Sequence, residues 1–342
     1  MSLLLRNGFI HTADDPFATA VLIEDQTISW VGSEETADAM VKATTDPEPT
    51  VEVDLAGALV VPAFIDGLST QAPDVTTGSE DRQLVSMTTE AESVEDHNAV
   101  VRYGPIGSVA PQWWIPHQEI DDGLTQLLEH SDRTPAVQAL IGSRSPHELD
   151  TILSRLEGAD AGWLMRARHR VVANHPLSAE QIQRMRATQL SLTVTPLCSD
   201  TPELQAPLAD VVAAGIHLSL GSGDDEASHE NMWRVVTAAV EHPDPAQRLS
   251  TRAAFHAVTR NGVRVLPSVI SQRLFQHGRI RVGSPARLGV YTGTELGVQV
   301  PDESSAQFST DARAGSALLP IVDSATPLPQ RQATVVGEDY RG

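Results

Sequence analysis

The sequence predicts an α/β protein built on a parallel sheet, with strand-rich segments at both ends of the chain. Three observations carry this. From residue 117 onward, helical stretches with one apolar face alternate with short apolar runs, the pattern of successive β/α units. Residues 2–57 and the last part of the chain read instead as short strands separated by turns. The length of 342 residues accommodates a (β/α)₈ barrel of about 250 residues and leaves a remainder for a smaller second domain.

In chain order, LLLRNGFIHT places Asn7-Gly8 between two apolar runs, a hairpin signal, and AVLIEDQTISWVGS repeats the pattern around Glu24-Asp25-Gln26. Leu59 to Ile65 is continuously apolar, as a strand covered on both faces requires. Residues 66–116 are the weak stretch. Only QLVSMTT and HNAVVRYG look strand-like there, and helices are missing. An eroded first half, with loops in place of helices, is expected.

Beyond it, Ile120, Leu124, Leu127 and Leu128 share a helical face. Ala136 to Ile141 reads as a strand, and Ser145-Pro146-His147-Glu148 as a capping box opening the helix of Leu149, Ile152, Leu153 and Leu156. Arg170 to Ala173 is the next strand, Ser178 with Gln181 caps the next helix, and Leu190 to Thr195 follows as a strand. A helix is expected from Thr201-Pro202-Glu203 to Gly215, then a strand over Ile216 to Leu220. Trp233, Val236 and Val240 stripe a helix stopped by Pro243, and Ser250 caps another. GRIRVGSPARLGVYTG and RQATVVGEDYRG look like strands, with a loose loop over 301–331 between them.

Composition narrows the function classes. The net charge of −21 repels phosphate backbones and anionic lipid surfaces, so no nucleic-acid or membrane partner is expected. No apolar run approaches a membrane span, and no signal peptide is read at the N-terminus, so a cytoplasmic location is the default. Cys198 is the single cysteine, which excludes an intramolecular disulfide and a cysteine-based zinc site. Lys42 is the single lysine.

LLLRNGFIHT, TISWVG and VDLAGALVVPAFIDG together resemble the opening of amidohydrolases, metal-dependent hydrolases of C–N bonds. ADVVAAGIHLSLGSG, RLSTRAAFHAVTRNGVRVL, GRIRVGSPARLGVY and RHRVVANHPLSAEQIQRM resemble later parts of the same family, nearest the N-substituted formamide deformylase branch. The resemblance covers 1–66 and 136–341 well and 67–135 poorly. It implies a TIM-type (β/α)₈ barrel over 58–278 and a composite β-sandwich from residues 1–57 and 279–342.

It also implies a metal, usually Zn²⁺, which lowers the pKa of a bound water. Here the sequence departs from the pattern. The two histidines of the first barrel strand fall on Leu68 and Thr70. A later histidine falls on or near Gln138 and another on Ala173, and the aspartate of the last strand falls on Gly223. Leucine has no lone pair to offer, and a threonine hydroxyl is a poor zinc ligand. A degenerate member is therefore expected, with no metal and no cofactor. His175, His217 and Asp224 are the possible substitutes; His217 shares the parity of Gly223, which allows it to face the barrel, with a satisfied core histidine as its first reading. Asp66 keeps the family's aspartate, with hydrogen bonding at the strand end its first reading. Trp113-Trp114 either line a pocket or pack. His229 and Glu230 read as capping or solvent-facing, His97, His117, His130 and His147 as surface residues, and Cys198 as an inert thiol.

The function expected is binding of a small ligand or partner at the former active-site mouth without metal-dependent hydrolysis. The alternatives are an active hydrolase of non-peptide C–N bonds with a rebuilt site, and a structural subunit paired with an active paralogue. A homodimer fits the family's habit.

Overall fold

The computed structural model describes residues 1–43, 49–72, 82–88, 100–107, 112–132, 136–199, 203–293, 295–300, 307–309 and 317–342. His97 and the expected helix start at Thr201-Pro202 lie outside them.

Eight parallel strands form one sheet in sequential order: β1 (Phe64–Ser69), β2 (Arg82–Thr88), β3 (Val100–Gly104), β4 (Gln112–Ile115), β5 (Ala139–Gly142), β6 (Arg170–Val172), β7 (Ser191–Val194) and β8 (Leu218–Leu220). A parallel bridge between Ser69 and Gly223 brings the last strand back to the first, so the sheet curls into a nearly closed TIM-type barrel. The two strand-like runs read between β1 and β4, QLVSMTT and HNAVVRYG, supply β2 and β3. The described residues that connect the strands from β1 to β4, 70–72 and 105–107, contain no helix. From β4 onward helices cover the barrel. Leu124, Leu127, Leu149, Ile152, Leu153 and Leu156 are buried against it as their periodicity predicts. Ser178 and Gln181 form a complete capping box. At Ser145 the box is half-made: its hydroxyl accepts from Glu148 N at 3.3 Å, but the Glu148 carboxylate turns to Arg144 N.

Three smaller sheets come from the chain ends. One orders Thr27–Gly32, Ala20–Glu24, Leu3–Arg6 and Val51–Asp54. A second orders Phe9–Ile10, Leu59–Pro62, Arg287–Thr292, Gln330–Val336 and Asp339–Arg341. The third joins Gln307–Ser309, Leu296–Val300 and Leu319–Pro320. The first two share a core of Leu3, Ile23, Val60, Leu288 and Val335, which unites both ends of the chain. Tyr291 then ties this layer to the barrel through a cluster with Phe64, Trp233 and Phe255, where Trp233 stacks on Phe255 at 5.4 Å.

Four local expectations are corrected. Leu59–Ile65 is not one strand: it divides at Ala63 into a small-sheet strand and β1. Asn7 adopts φ +57, as a turn needs, but the strands flanking Asn7-Gly8 enter different sheets and do not pair. The turn at Asp25-Gln26, both at positive φ, does close a hairpin. Glu34–Ala43 is a helix missed in the sequence, because Ala37 is its one buried residue and leaves almost no apolar stripe. The helix before β8 runs Leu208–Ala213, starting later than read, and Gly215 at φ +77 ends it. Among the described residues no helix is long and apolar enough to cross a membrane.

Candidate functional site at the barrel mouth

In a parallel barrel the loops after each strand build the site. The seam between β1 and β8 holds three of the former ligand positions. Asp66, fully buried, accepts from Leu68 N (3.2 Å), Ser222 N (3.0 Å), the Ser222 hydroxyl and Arg82 Nη1 (3.1 Å). Its carboxylate therefore staples β1, β2 and the end of β8. Leu68 uses its carbonyl to accept from Gly223 N at 2.9 Å, while its side chain packs beside Ile65, Leu84 and Leu140. Thr70 is exposed, and its N and Oγ1 donate to Gly223 O at 2.9 and 3.3 Å. Gly223 sits at φ +62, where a Cβ would come 3.2 Å from the Cβ atoms of Cys198 and Thr195. Left-handed backbone and close neighbours together favour glycine at this position.

The other positions do not join them. Gln138 precedes β5 and so lies at the opposite end of the barrel. It is fully buried, accepts from Tyr103 Oη, and donates to Arg168 O and, at 2.7 Å, to Val265 O. Ala173 packs in the outer apolar cluster with Val171 and Ile182, and its N donates to Thr193 O at 3.2 Å.

The possible substitutes are also committed elsewhere. His175 donates Nδ1–H to Pro176 O at 2.8 Å, so its Nε2 lone pair accepts from the Ser143 hydroxyl at 2.9 Å. Burial holds this imidazole below the ordinary histidine range. His217 is neither a core histidine nor at the mouth: it precedes β8 at the far end and is exposed. Asp224 is exposed and turns to the loop after β7, where Ser199 N (2.9 Å), the Ser199 hydroxyl and the Cys198 thiol donate to it. The Ser199 hydroxyl is the main cause that lowers its carboxyl to about 2. The tryptophan pair is split. Trp113 is fully buried under the helix Ile120–Glu129 and meets His130 edge-on at 5.2 Å, whereas half-buried Trp114 lies beside Gly142 at the end of β5.

The largest surprise is Arg170. Its side chain is fully buried inside the barrel. Nε donates to Thr193 Oγ1 at 3.1 Å. Nη1 donates to Ser86 Oγ at 3.0 Å and Tyr103 Oη at 3.1 Å. Nη2 donates to Thr193 Oγ1 at 2.7 Å, to Ser219 Oγ at 3.3 Å and to Gly67 O. One guanidinium on β6 thus binds acceptors on β1, β2, β3, β7 and β8. Tyr103 also presents its ring, with the guanidinium carbon 5.7 Å from the centroid. Arg82 and His229 were likewise missed. Arg82 is buried against Asp66 and donates to Ser69 Oγ at 3.0 Å. His229, read as capping or solvent-facing, is buried with Nε2 3.0 Å from Gly223 O and 3.1 Å from Ser69 Oγ. The signal for Arg170 lay in the strand itself, since it shares parity with Val172 and not with Val171.

The fold family implies a divalent ion, and these residues do not fit one. Leu68, Ala173 and Gly223 supply no donor, Gln138 is at the wrong end, and His175 and Asp224 are engaged. Among the described residues no three His, Cys, Asp or Glu side chains converge to hold a metal. What the rim does offer is unused polar capacity. Asn174, after β6, is more than nine-tenths buried, and neither atom of its amide has a partner among the described residues. His117, after β4, is partly exposed, but its Nε2 atom is buried with no partner among the described residues, and its Nδ1 lies 3.7 Å from Glu148.

Solved structures share this architecture. An adenosine deaminase from Xanthomonas campestris with bound zinc superposes with a TM-score of 0.60 at 12% identity, over 99% of this chain and 92% of that one. An N-isopropylammelide isopropylaminohydrolase from Burkholderia multivorans gives 0.58 at 13% identity, over 99% and 98%. An amidohydrolase from a Sargasso Sea environmental sample gives 0.54 at 14%, over 100% and 93%. The chain has the amidohydrolase fold. No family model and no curated protein sequence matches it.

Proposed function

We propose that the chain is a divergent member of the amidohydrolase superfamily that binds a small polar ligand at the C-terminal rim of its barrel and carries out no metal-dependent hydrolysis. The observation that carries this is Arg170. Its fixed positive charge in the barrel interior opposes a second cation above it, and it bonds β1 and β8, two of the strands whose ends would have to hold the ion. The open amide of Asn174 and the free Nε2 of His117 supply donors and an acceptor suited to a neutral, hydrogen-bonding ligand.

The test is metal content after zinc loading and desalting, run beside hydrolysis of N-acyl and cyclic amide substrates with and without added zinc. Substoichiometric zinc and no turnover are expected. One retained zinc per chain together with metal-dependent turnover would overturn the proposal in favour of a rebuilt hydrolase site.

A further inference from the structure

A second site lies away from the mouth, where the small sheets meet the start of β1. The pocket has a volume of about 110 Å³, and its charged and imidazole lining is His11, Asp14, His256, Arg260, Arg279 and Arg281. Three guanidinium groups thus gather in a chain of net charge −21, beside one lining carboxylate, Asp14, which pairs with Arg281 at 3.7 Å and also acts on Arg279. Arg260 Nη2 donates to His256 Nδ1 at 3.0 Å. The Nε atoms of Arg260 and Arg279 are both buried without a hydrogen-bond partner among the described residues. Gly278, at φ +70, holds the two arginines together: a Cβ there would lie 2.8 Å from Arg260 N.

The electrostatics agree with the geometry. Burial, then the neighbouring guanidinium groups Arg264, Arg279 and Arg252, lower Arg260 from the ordinary arginine range. His256 is pushed to about 3 by burial, with Arg260 the next cause, and His11 to about 4, also by burial. Both imidazoles are therefore neutral donor–acceptor groups near pH 7. Since His256 Nδ1 accepts from Arg260, its Nε2 carries the hydrogen. Buried N–H donors with no acceptor, and three guanidinium groups facing a single carboxylate, are conditions that an anion in the pocket would relieve.

We infer that this pocket binds a phosphate group, either free or as a phosphomonoester. Arginine forks match its oxygens, and the volume admits a small oxyanion.

The experiment is calorimetric titration of the full chain with inorganic phosphate and, separately, glycerol 3-phosphate, at fixed ionic strength. Saturable one-to-one binding is expected, weakened roughly tenfold or more in each of R260Q and R279Q and lost in the double variant. Circular dichroism confirms the fold of each variant. Equal affinity for the two probes assigns the site to the free anion, and tighter glycerol 3-phosphate assigns it to an ester. In the wild type, phosphate also raises the His256 pKa followed by NMR. Where the double variant folds poorly, R279Q alone carries the test, because that side chain is only half-buried. Absence of saturable binding with both probes, or affinity unchanged by R279Q, overturns the inference. Neither outcome bears on the barrel mouth.

Discussion

Arg170 is fully buried and the Arg260–Arg279 pair half-buried in an acidic protein, and they differ in what surrounds them. Around Arg170, hydroxyls and a carbonyl from five strands meet the guanidinium on every side. Around Arg260 and Arg279, buried Nε–H groups face no acceptor. Removing a cation from water costs several kcal/mol. In the barrel that cost is offset by hydrogen bonds to neutral groups, so the side chain behaves as an internal strut. In the pocket the half-buried guanidinium groups keep part of their contact with water, and it is their two Nε–H donors that go unmet. Burial of charge alone does not mark function; the unmet hydrogen-bonding capacity does.

The comparison breaks most visibly at Arg170. Arg170→Ala leaves a cavity and strands the acceptors of five barrel strands, and a loss of about 3–5 kcal/mol is expected. Urea unfolding measures it; a loss under about 1 kcal/mol would mean the guanidinium does not brace the barrel.

His169, the preceding residue, sharpens the contrast, because a buried imidazole can shed the charge that a guanidinium keeps. Its Nδ1 accepts from Ala139 N at 3.0 Å, and burial lowers its pKa from 6.5 to about 3. The folded value is depressed, so the unfolded chain binds the extra proton first. The stabilisation is fully present above pH 6.5 and is lost as pH falls toward 3. Between pH 7 and pH 5 the wild type is expected to lose roughly 2 kcal/mol at this residue. The same titration on H169Q should be flatter by that amount, and parallel curves would refute the assignment.

The smallest effect is expected in the pocket. Without phosphate, Arg260→Gln removes a half-buried charge crowded by other guanidinium groups and should leave stability unchanged or raise it by up to about 1 kcal/mol. Thermal melts in phosphate-free buffer test this, and a clear loss would show that Arg260 is a strut like Arg170.

Legibility from sequence followed the same division as the barrel itself. From β5 to β8 each strand and most helices were visible, because Leu149, Ile152, Leu153 and Leu156 repeat at helical spacing and Ser178 with Gln181 marks a helix start. Between β1 and β4 the runs QLVSMTT and HNAVVRYG were legible as strands and supply β2 and β3, whereas Gln112–Ile115, read only as an aromatic pair, is a strand with Trp113 on its covered face. The emptied positions Leu68, Thr70 and Gly223 were found at the seam, and Gln138 was placed at the wrong end because alignment without strand ends cannot distinguish mouth from base. Arg170, Arg82 and His229 were passed over, since their partners are distant in sequence.

Periodicity, turn residues and caps act over a few neighbouring residues, so the order of elements and the alternation of strand with helix were set locally and could be read from the chain alone. The closing of β8 onto β1, the bracing of five strands by Arg170 and the gathering of Arg260, Arg279 and His11 into one pocket join residues as far as 268 positions apart, as the Thr12–Ile280 hydrogen bond beside that pocket illustrates. Such contacts depend on how the elements stack in space, and only the tertiary structure decides which buried charges find partners and which do not.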